Sequence, residues 1–160
     1  MITSKKTSVN QLPAIAKLVE EFHGWKSKTT NLDIGAGKYN KFTDYLEKKG
    51  VRNFPYDLYN RTDKENKTAL RRKYHTITMS NVLCVIKDKK VRKFLIQLAK
   101  SKLRKDGKVY ITIYEGDKSG VGCITREDCW QENKRTIEYV DEIFEVFTTV
   151  SIKGKLIIAT

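Results

Sequence analysis

The 160 residues predict a single α/β domain, built on a mostly parallel sheet that ends in an antiparallel hairpin. Three observations carry that prediction. Amphipathic helical segments alternate with short strands along most of the chain. A glycine pair, Gly35 and Gly37, stands where an apolar strand runs into a helix. The last two strands are joined only by Lys153-Gly154, too short for anything but an antiparallel turn.

Taken in order, residues 1–28 read as an amino-terminal helical extension of a domain covering 1–160. Leu12, Ile15, Ala16, Val19 and Phe22 recur at helical spacing, with Pro13 in the first turn and His23-Gly24 as the stop. Thr29–Ile34 is the first strand. A second helix over Tyr39–Lys49 turns Phe42, Tyr45 and Leu46 inward and stops at Gly50. Val51–Asp57 is the second strand, and Pro55 assigns it to an edge or to the end of a strand, because proline donates nothing to a ladder.

A charged helix over Asp63–Lys73 leads to the strand Tyr74–Met79. The longest helix spans Asp88–Lys105, with Val91, Phe94, Leu95, Leu98, Ala99 and Leu103 as its apolar stripe and lysine and arginine on its other side. Asp106-Gly107 ends it before the strand Lys108–Tyr114. A polar loop from Glu115 to Cys129 follows. The chain closes with a helix over Thr136–Phe144 and the strands Phe147–Ile152 and Lys155–Ala159.

Composition narrows the function classes. A hydrophobic content of 39% suffices for a one-domain core, and no apolar run is long enough for a bilayer. Lysines near Met1 have no apolar run behind them, so no signal peptide and a cytoplasmic location are expected. Cys84, Cys123 and Cys129 form no C-x-x-C pair, and only His23 and His75 could join them, so no disulfide framework and no metal site are expected. The net charge of +13 attracts phosphate polymers, making nucleic acid the expected partner of a basic surface. The plainer alternative is solvated lysine, since 24 of the 32 basic residues are Lys and only eight are Arg.

Asp33-Ile34-Gly35-Ala36-Gly37-Lys38 is the most informative segment. Glycine there lets the backbone turn sharply and a ligand approach without a Cβ in the way. A phosphate-binding P-loop is excluded, because Lys38 is followed by Tyr39 and lacks the upstream glycine. A dinucleotide site is weakened, because Asn40 stands where its third glycine belongs. Asp57 follows Gly37 by twenty positions, at the end of the second strand, where a carboxylate can accept from both ribose hydroxyls. Its other reading is an ordinary turn carboxylate ahead of Leu58.

The order Asp-x-Gly-x-Gly resembles the first motif of class I S-adenosylmethionine (SAM) methyltransferases. Met79-Ser80-Asn81-Val82-Leu83-Cys84-Val85-Ile86 resembles their fourth motif, in the form found in small phage-encoded methyltransferases and in those associated with DNA phosphorothioation. Trp130-Gln131-x-Asn133 resembles the carboxyl-terminal pattern of the same proteins, so the resemblance covers about Asn31 to Thr160. It implies a three-layer Rossmann-like methyltransferase sheet and SAM as cofactor. By the same resemblance Asp33, Gly35, Ala36, Gly37, Lys38, Asp57, Leu58, Asn81 and Val82 hold the cofactor, and Asn81 faces the acceptor. The acceptor implied is DNA or RNA. A small molecule, a protein, or a SAM- or nucleotide-binding module without catalysis are the alternatives.

Two departures qualify this. Ser80-Asn81 is followed by Val82-Leu83 and not by Pro-Pro-aromatic, so methylation of an exocyclic base amine lacks its full motif. No Pro-Cys pair supplies a covalent nucleophile, and Cys84 reads as core. Only seventeen positions separate Asp57 from Tyr74, so the family's usual third strand is missing or shortened. For a general base the candidates are Glu115, after the last parallel strand, then Asp117, Glu127 and Asp128. The plainer reading of each is a solvated loop acid. Trp130 either stacks on a flat substrate or closes the core, and Gln131 either pairs with a base edge or caps a helix.

Overall fold

The computed structural model describes residues 1–160. Eight strands and five α-helices follow one another: β1 Thr29–Ile34, β2 Val51–Tyr56, β3 Tyr74–Ser80, β4 Leu103–Thr112, β5 Cys123–Arg126, β6 Cys129–Gln131, β7 Val150–Lys153 and β8 Leu156–Ala159. The helices are α1 Ile15–Phe22, α2 Lys41–Lys48, α3 Asp63–Ala69, α4 Lys89–Lys102 and α5 Val140–Phe144. Six strands form one sheet in the order β2-β1-β3-β4-β8-β7. β1 to β4 are parallel, while β8 runs antiparallel to both β4 and β7. This is the expected architecture. Between β2 and β3 lies only α3, so the third strand is absent and β2 remains the edge, where Pro55 is tolerated.

Side chains alternate across the sheet and produce three layers. Leu32, Ile34, Ile77, Met79, Val109 and Ile111 join the large core cluster with Ala69 of α3, Ile96 of α4 and Ile143 of α5. The opposite face packs Tyr110, Leu156 and Ile158 against Ile15 and Val19 of α1 and Phe42 and Leu46 of α2. Between these apolar parts the same face carries buried polar residues. Asn31 Nδ2 donates to Asn53 Oδ1 at 2.9 Å and to Thr78 Oγ1 at 3.0 Å, and Thr78 Oγ1 donates to Asp33 Oδ1 at 3.0 Å. The polar alternation in TTNLDI and YHTITMS therefore marks an internal network, not a solvated face.

Several boundaries differ from expectation, each for a physical reason. α1 starts at Ile15, and the chain before it is a strap with a single 3-10 turn at Lys5–Thr7. α4 buries Arg92, Leu95, Ile96 and Ala99, while Val91 and Phe94 stay exposed. Its inner face is thus rotated from the purely apolar stripe, because Arg92 is neutralised by Glu132 and Glu142 at 2.6 and 2.8 Å. β4 begins directly after α4 and runs through Asp106-Gly107 with a register shift opposite Tyr74 and Thr76. Gly107 is required by crowding, since a Cβ would lie 2.9 Å from His75 O. The loop after Glu115 contains the hairpin β5–β6, and the closing turn is Gly154-Lys155, with Lys153 paired to Leu156. No helix is long and apolar enough to cross a membrane.

Candidate active site

The sheet order places β2 on one side of β1 and β3 on the other, so the crossovers leave β1 in opposite directions. Such a switch point opens a crevice beyond the carboxyl ends of the strands. Here a cavity of about 1150 Å³ is lined by Asp33 to Gly37 after β1, by Asp57 to Asn60 after β2 and by Asn81 and Val82 after β3. That lies just above the usual upper end for a small-molecule site, about 1,000 Å³.

The glycine loop is tied down from several sides. Gly35 N and Ala36 N donate to Tyr56 O at 2.8 and 3.2 Å. Gly35 and Gly37 both have positive φ, 74° and 66°. Asp57 Oδ2 accepts from Gly37 N at 2.9 Å, and its Oδ1 accepts from Tyr59 N and Asn60 N, each at 3.0 Å. Arg61, which the sequence reading passed over, completes the clamp. Its guanidinium donates to Gly37 O at 2.6 Å, Tyr39 O at 2.7 Å and Asn40 Oδ1 at 2.7 Å. Charge-assisted donation to loop carbonyls fixes a backbone that glycine would otherwise leave mobile. Nothing local in the sequence marks Arg61 apart from its place four residues after Asp57.

Asp33 lies at the floor of the cavity and is 6% exposed. Burial pushes its carboxyl from 3.8 to about 7, against the opposing pull of the Thr78 hydroxyl and the Arg61 charge. A carboxyl raised above its unfolded value stabilises the folded chain while protonated. That contribution is complete below the unfolded pKa and disappears as the pH climbs through about 7. Thermal denaturation of the ligand-free chain should therefore show stability falling between pH 4 and 7, and Asp33→Asn should flatten that profile. An unchanged profile in the variant would assign the titration elsewhere.

Asn81 has a φ of 55°, a left-handed conformation that asparagine tolerates better than most residues. Its backbone N–H bonds Thr112 O at 2.9 Å, and its side chain is exposed on the cavity wall. Beyond it the wall turns apolar through Val85, Ile86, Val91, Phe94 and Tyr114. The amino-terminal strap crosses over this end. Ser4, itself buried with a φ of 53°, donates from Oγ to Val85 O at 2.7 Å and accepts from Trp130 N at 3.2 Å. Thr3 N and Ser4 N bond Asp128, while Ser8 Oγ accepts from Lys38 N at 3.0 Å. The strap thus joins the glycine loop to the β5–β6 hairpin.

Residues 10–152 match the methyltransferase domain family. The chain belongs to that family. Comparison with the curated proteins gives no match. Among solved structures, the 1,6-didemethyltoxoflavin-N1-methyltransferase of Burkholderia thailandensis, solved with bound 1,6-didemethyltoxoflavin and S-adenosylhomocysteine, is similar at 16% identity and a TM-score of 0.67. That match covers 91% of this chain and 75% of the other. A TehB-like SAM-dependent methyltransferase from Corynebacterium glutamicum aligns with 15% identity and a TM-score of 0.59, over 96% of this chain and 89% of the other. The glycopeptide N-methyltransferase MtfA, solved with SAM, aligns at 10% identity and a TM-score of 0.59, over 89% and 84%.

Within this methyltransferase domain the expected site residues separate into two groups. Asp33, Gly35, Ala36, Gly37, Asp57, Leu58, Asn81 and Val82 all line the cavity. Lys38 does not; its side chain lies over the Tyr39 ring. Glu115 also falls outside, because its Oε1 accepts from Thr136 N at 2.7 Å and caps the turn before α5. That bond holds its carboxyl below the usual range, with help from Lys118. Trp130 is turned away against Gly122 and under Lys87, and Gln131 Nε2 donates to Tyr114 O at 2.9 Å. Neither lines the cavity. Cys84 is buried, with its thiol pushed up to about 11 by desolvation, and serves the core as expected.

Proposed function

We propose that this methyltransferase domain binds SAM across β1 and β2 and methylates an acceptor held on the far side of Asn81. The single observation that carries the reading is the cradle at Gly35 and Gly37, opening into one cavity with the buried Asp33 carboxyl and with Asn81. The residues present fit the cofactor. Added Cβ atoms at the two glycines would collide with Val82 and Ser8 at 2.4 Å, so glycine is what lets the loop pack against these two cavity-lining residues. Ionised Asp33 suits an ammonium, and Asp57 retains acceptor capacity for a ribose hydroxyl beyond its loop bonds. Leu58 and Val82 supply apolar walls for a base.

SAM, when bound, supplies a methyl group already activated on sulfur. What the chain contributes is orientation and exclusion of water. Of the carboxylates lining the cavity, Asp33 and Asp57 belong to the cofactor end, and Asp88 accepts from Lys90 N at 2.8 Å to cap α4. The acceptor end is apolar and lies under the strap, which supports a small acceptor or one extruded base, and not an intact duplex. A nucleic-acid acceptor is the second reading, favoured by the +13 charge and by Lys5, Lys41, Lys87, Lys89 and Arg126 around the cavity.

Calorimetric titration with SAM, with NAD as the control, tests the cofactor. Binding of SAM alone is expected, weakening below pH about 7 as Asp33 is protonated. Failure to bind SAM overturns the proposal. With labelled methyl, transfer into small molecules supports the first acceptor and transfer into DNA or RNA the second. Asn81→Ala should lower turnover about tenfold, about 1.4 kcal/mol of transition-state stabilisation, while leaving SAM affinity within a factor of about three.

A further inference from the structure

Many of the basic residues behind the +13 charge gather away from the cavity. Parallel strands all begin at the same edge of a sheet. Here Val51, Thr29, Tyr74 and Leu103 are the first residues of β2, β1, β3 and β4, and the ladder registers align them. A basic residue precedes this row on each strand: Lys49, Lys28, Lys73 and Lys102. Four of the eight arginines lie at the same edge, as Arg52, Arg71, Arg72 and Arg104, and all four are exposed.

Contacts gather these groups. The Arg72 and Arg52 guanidinium carbons lie 4.4 and 5.0 Å from the same Phe54 ring centroid. Lys28 N donates to Gly50 O at 2.8 Å, which ties the β1 and β2 starts together. Arg104 Nη1 lies 3.0 Å from His75 Nε2, and His75 is held by Thr30 N at 3.0 Å. The irregular register at the start of β4 projects Arg104 and Lys105 outward. Of the nearby acids, Glu20 is already paired with Lys49, which leaves Glu47 and Asp106 against this concentration of cations.

We infer that this edge is a docking surface for the phosphate backbone of a nucleic acid, separate from the methyl-transfer cavity. Neighbouring strands about 4.8 Å apart present a row of cations roughly 15 Å long. A polyanion can neutralise several of these at once and release its counterions. Arginines braced on aromatic rings are pre-organised for phosphate, as solvated lysines are not. An anionic membrane is disfavoured, because no large hydrophobic residue is exposed at the strand starts. β1 separates this edge from the cavity by about 17 Å. Docking here therefore anchors the enzyme on nucleic acid without delivering a phosphate to Asn81.

The test is fluorescence anisotropy with a labelled 20-nucleotide oligouridylate RNA, and the matching single-stranded DNA, in the presence of saturating S-adenosylhomocysteine. Binding should fall steeply from 50 to 200 mM salt. The triple variant Arg52→Ser/Arg72→Ser/Arg104→Ser should bind at least about tenfold more weakly, with a salt slope reduced by about two. The triple Arg→Lys variant keeps the charge but loses the braced guanidinium, so it should fall between the wild type and the serine variant, and Lys5→Ser/Lys87→Ser/Lys89→Ser at the cavity should lose little. Binding that survives the edge variant, or that vanishes only in the cavity variant, overturns the inference. So does equal competition by polyglutamate, which would assign the edge to an acidic protein. S-adenosylhomocysteine titration of each variant reports on the cofactor site separately, so failure of either reading is recognisable.

Discussion

Gly35→Val should weaken SAM binding by at least about 100-fold, about 2.7 kcal/mol, while the domain still folds. Two effects add at this position. A side chain at φ 74° carries a backbone cost of about 1–2 kcal/mol. The new Cβ would also lie 2.4 Å from Val82 Cγ2, so either the loop or Val82 has to move. Both line the cavity, and either movement alters the surface that receives the ligand. Gly120→Val provides the control, because Gly120 has nearly the same φ, 76°, with nothing within 4 Å of an added Cβ. Backbone strain should lower the Tm of both variants by about 2–8 °C, and only Gly35→Val should lose the cofactor. Unaltered SAM affinity in Gly35→Val would move the ligand out of this loop.

Why Gly35 was visible in the sequence, and other parts of the site were not, follows from the range of the interactions. A glycine loop, a strand-end acid such as Asp57 and a strand-end asparagine such as Asn81 are consequences of local backbone geometry. So is the alternation that assigns Leu32 and Ile34 to one face and Asn31 and Asp33 to the other. Arg61 grips carbonyls 24 and 22 positions away, and the strap is seated by partners 30 to 126 positions away. Neither leaves a periodic trace. Glu115 misled for the complementary reason: a carboxylate just after a strand end looks the same whether it faces a substrate or caps the next helix. Its neighbours in three dimensions decide, and Thr136 decides for the cap.

Arg92→Met should produce the largest loss of stability, about 3–5 kcal/mol, by leaving two largely buried carboxylates without their cation. Periodicity assigned Arg92 to the solvated side of α4, yet its side chain is 3% exposed. Arg92 Nε and Nη2 donate to both oxygens of Glu142 at 2.9 and 2.8 Å, while Nη1 reaches Glu132 Oε1 at 2.6 Å. The same Nη1 donates to Ile86 O at 2.7 Å and Lys87 O at 3.2 Å, in the segment that continues from Asn81 along the cavity wall. The substitution should therefore cost turnover as well as stability, with less effect on SAM affinity. Combining it with Glu132→Gln and Glu142→Gln should recover more than half of the stability, because the cost lies in uncompensated charge and not in lost packing. Urea denaturation of the single and triple variants measures this directly. A loss below about 1 kcal/mol in Arg92→Met would mean that water reaches the carboxylates and that the cluster contributes no more than a surface ion pair.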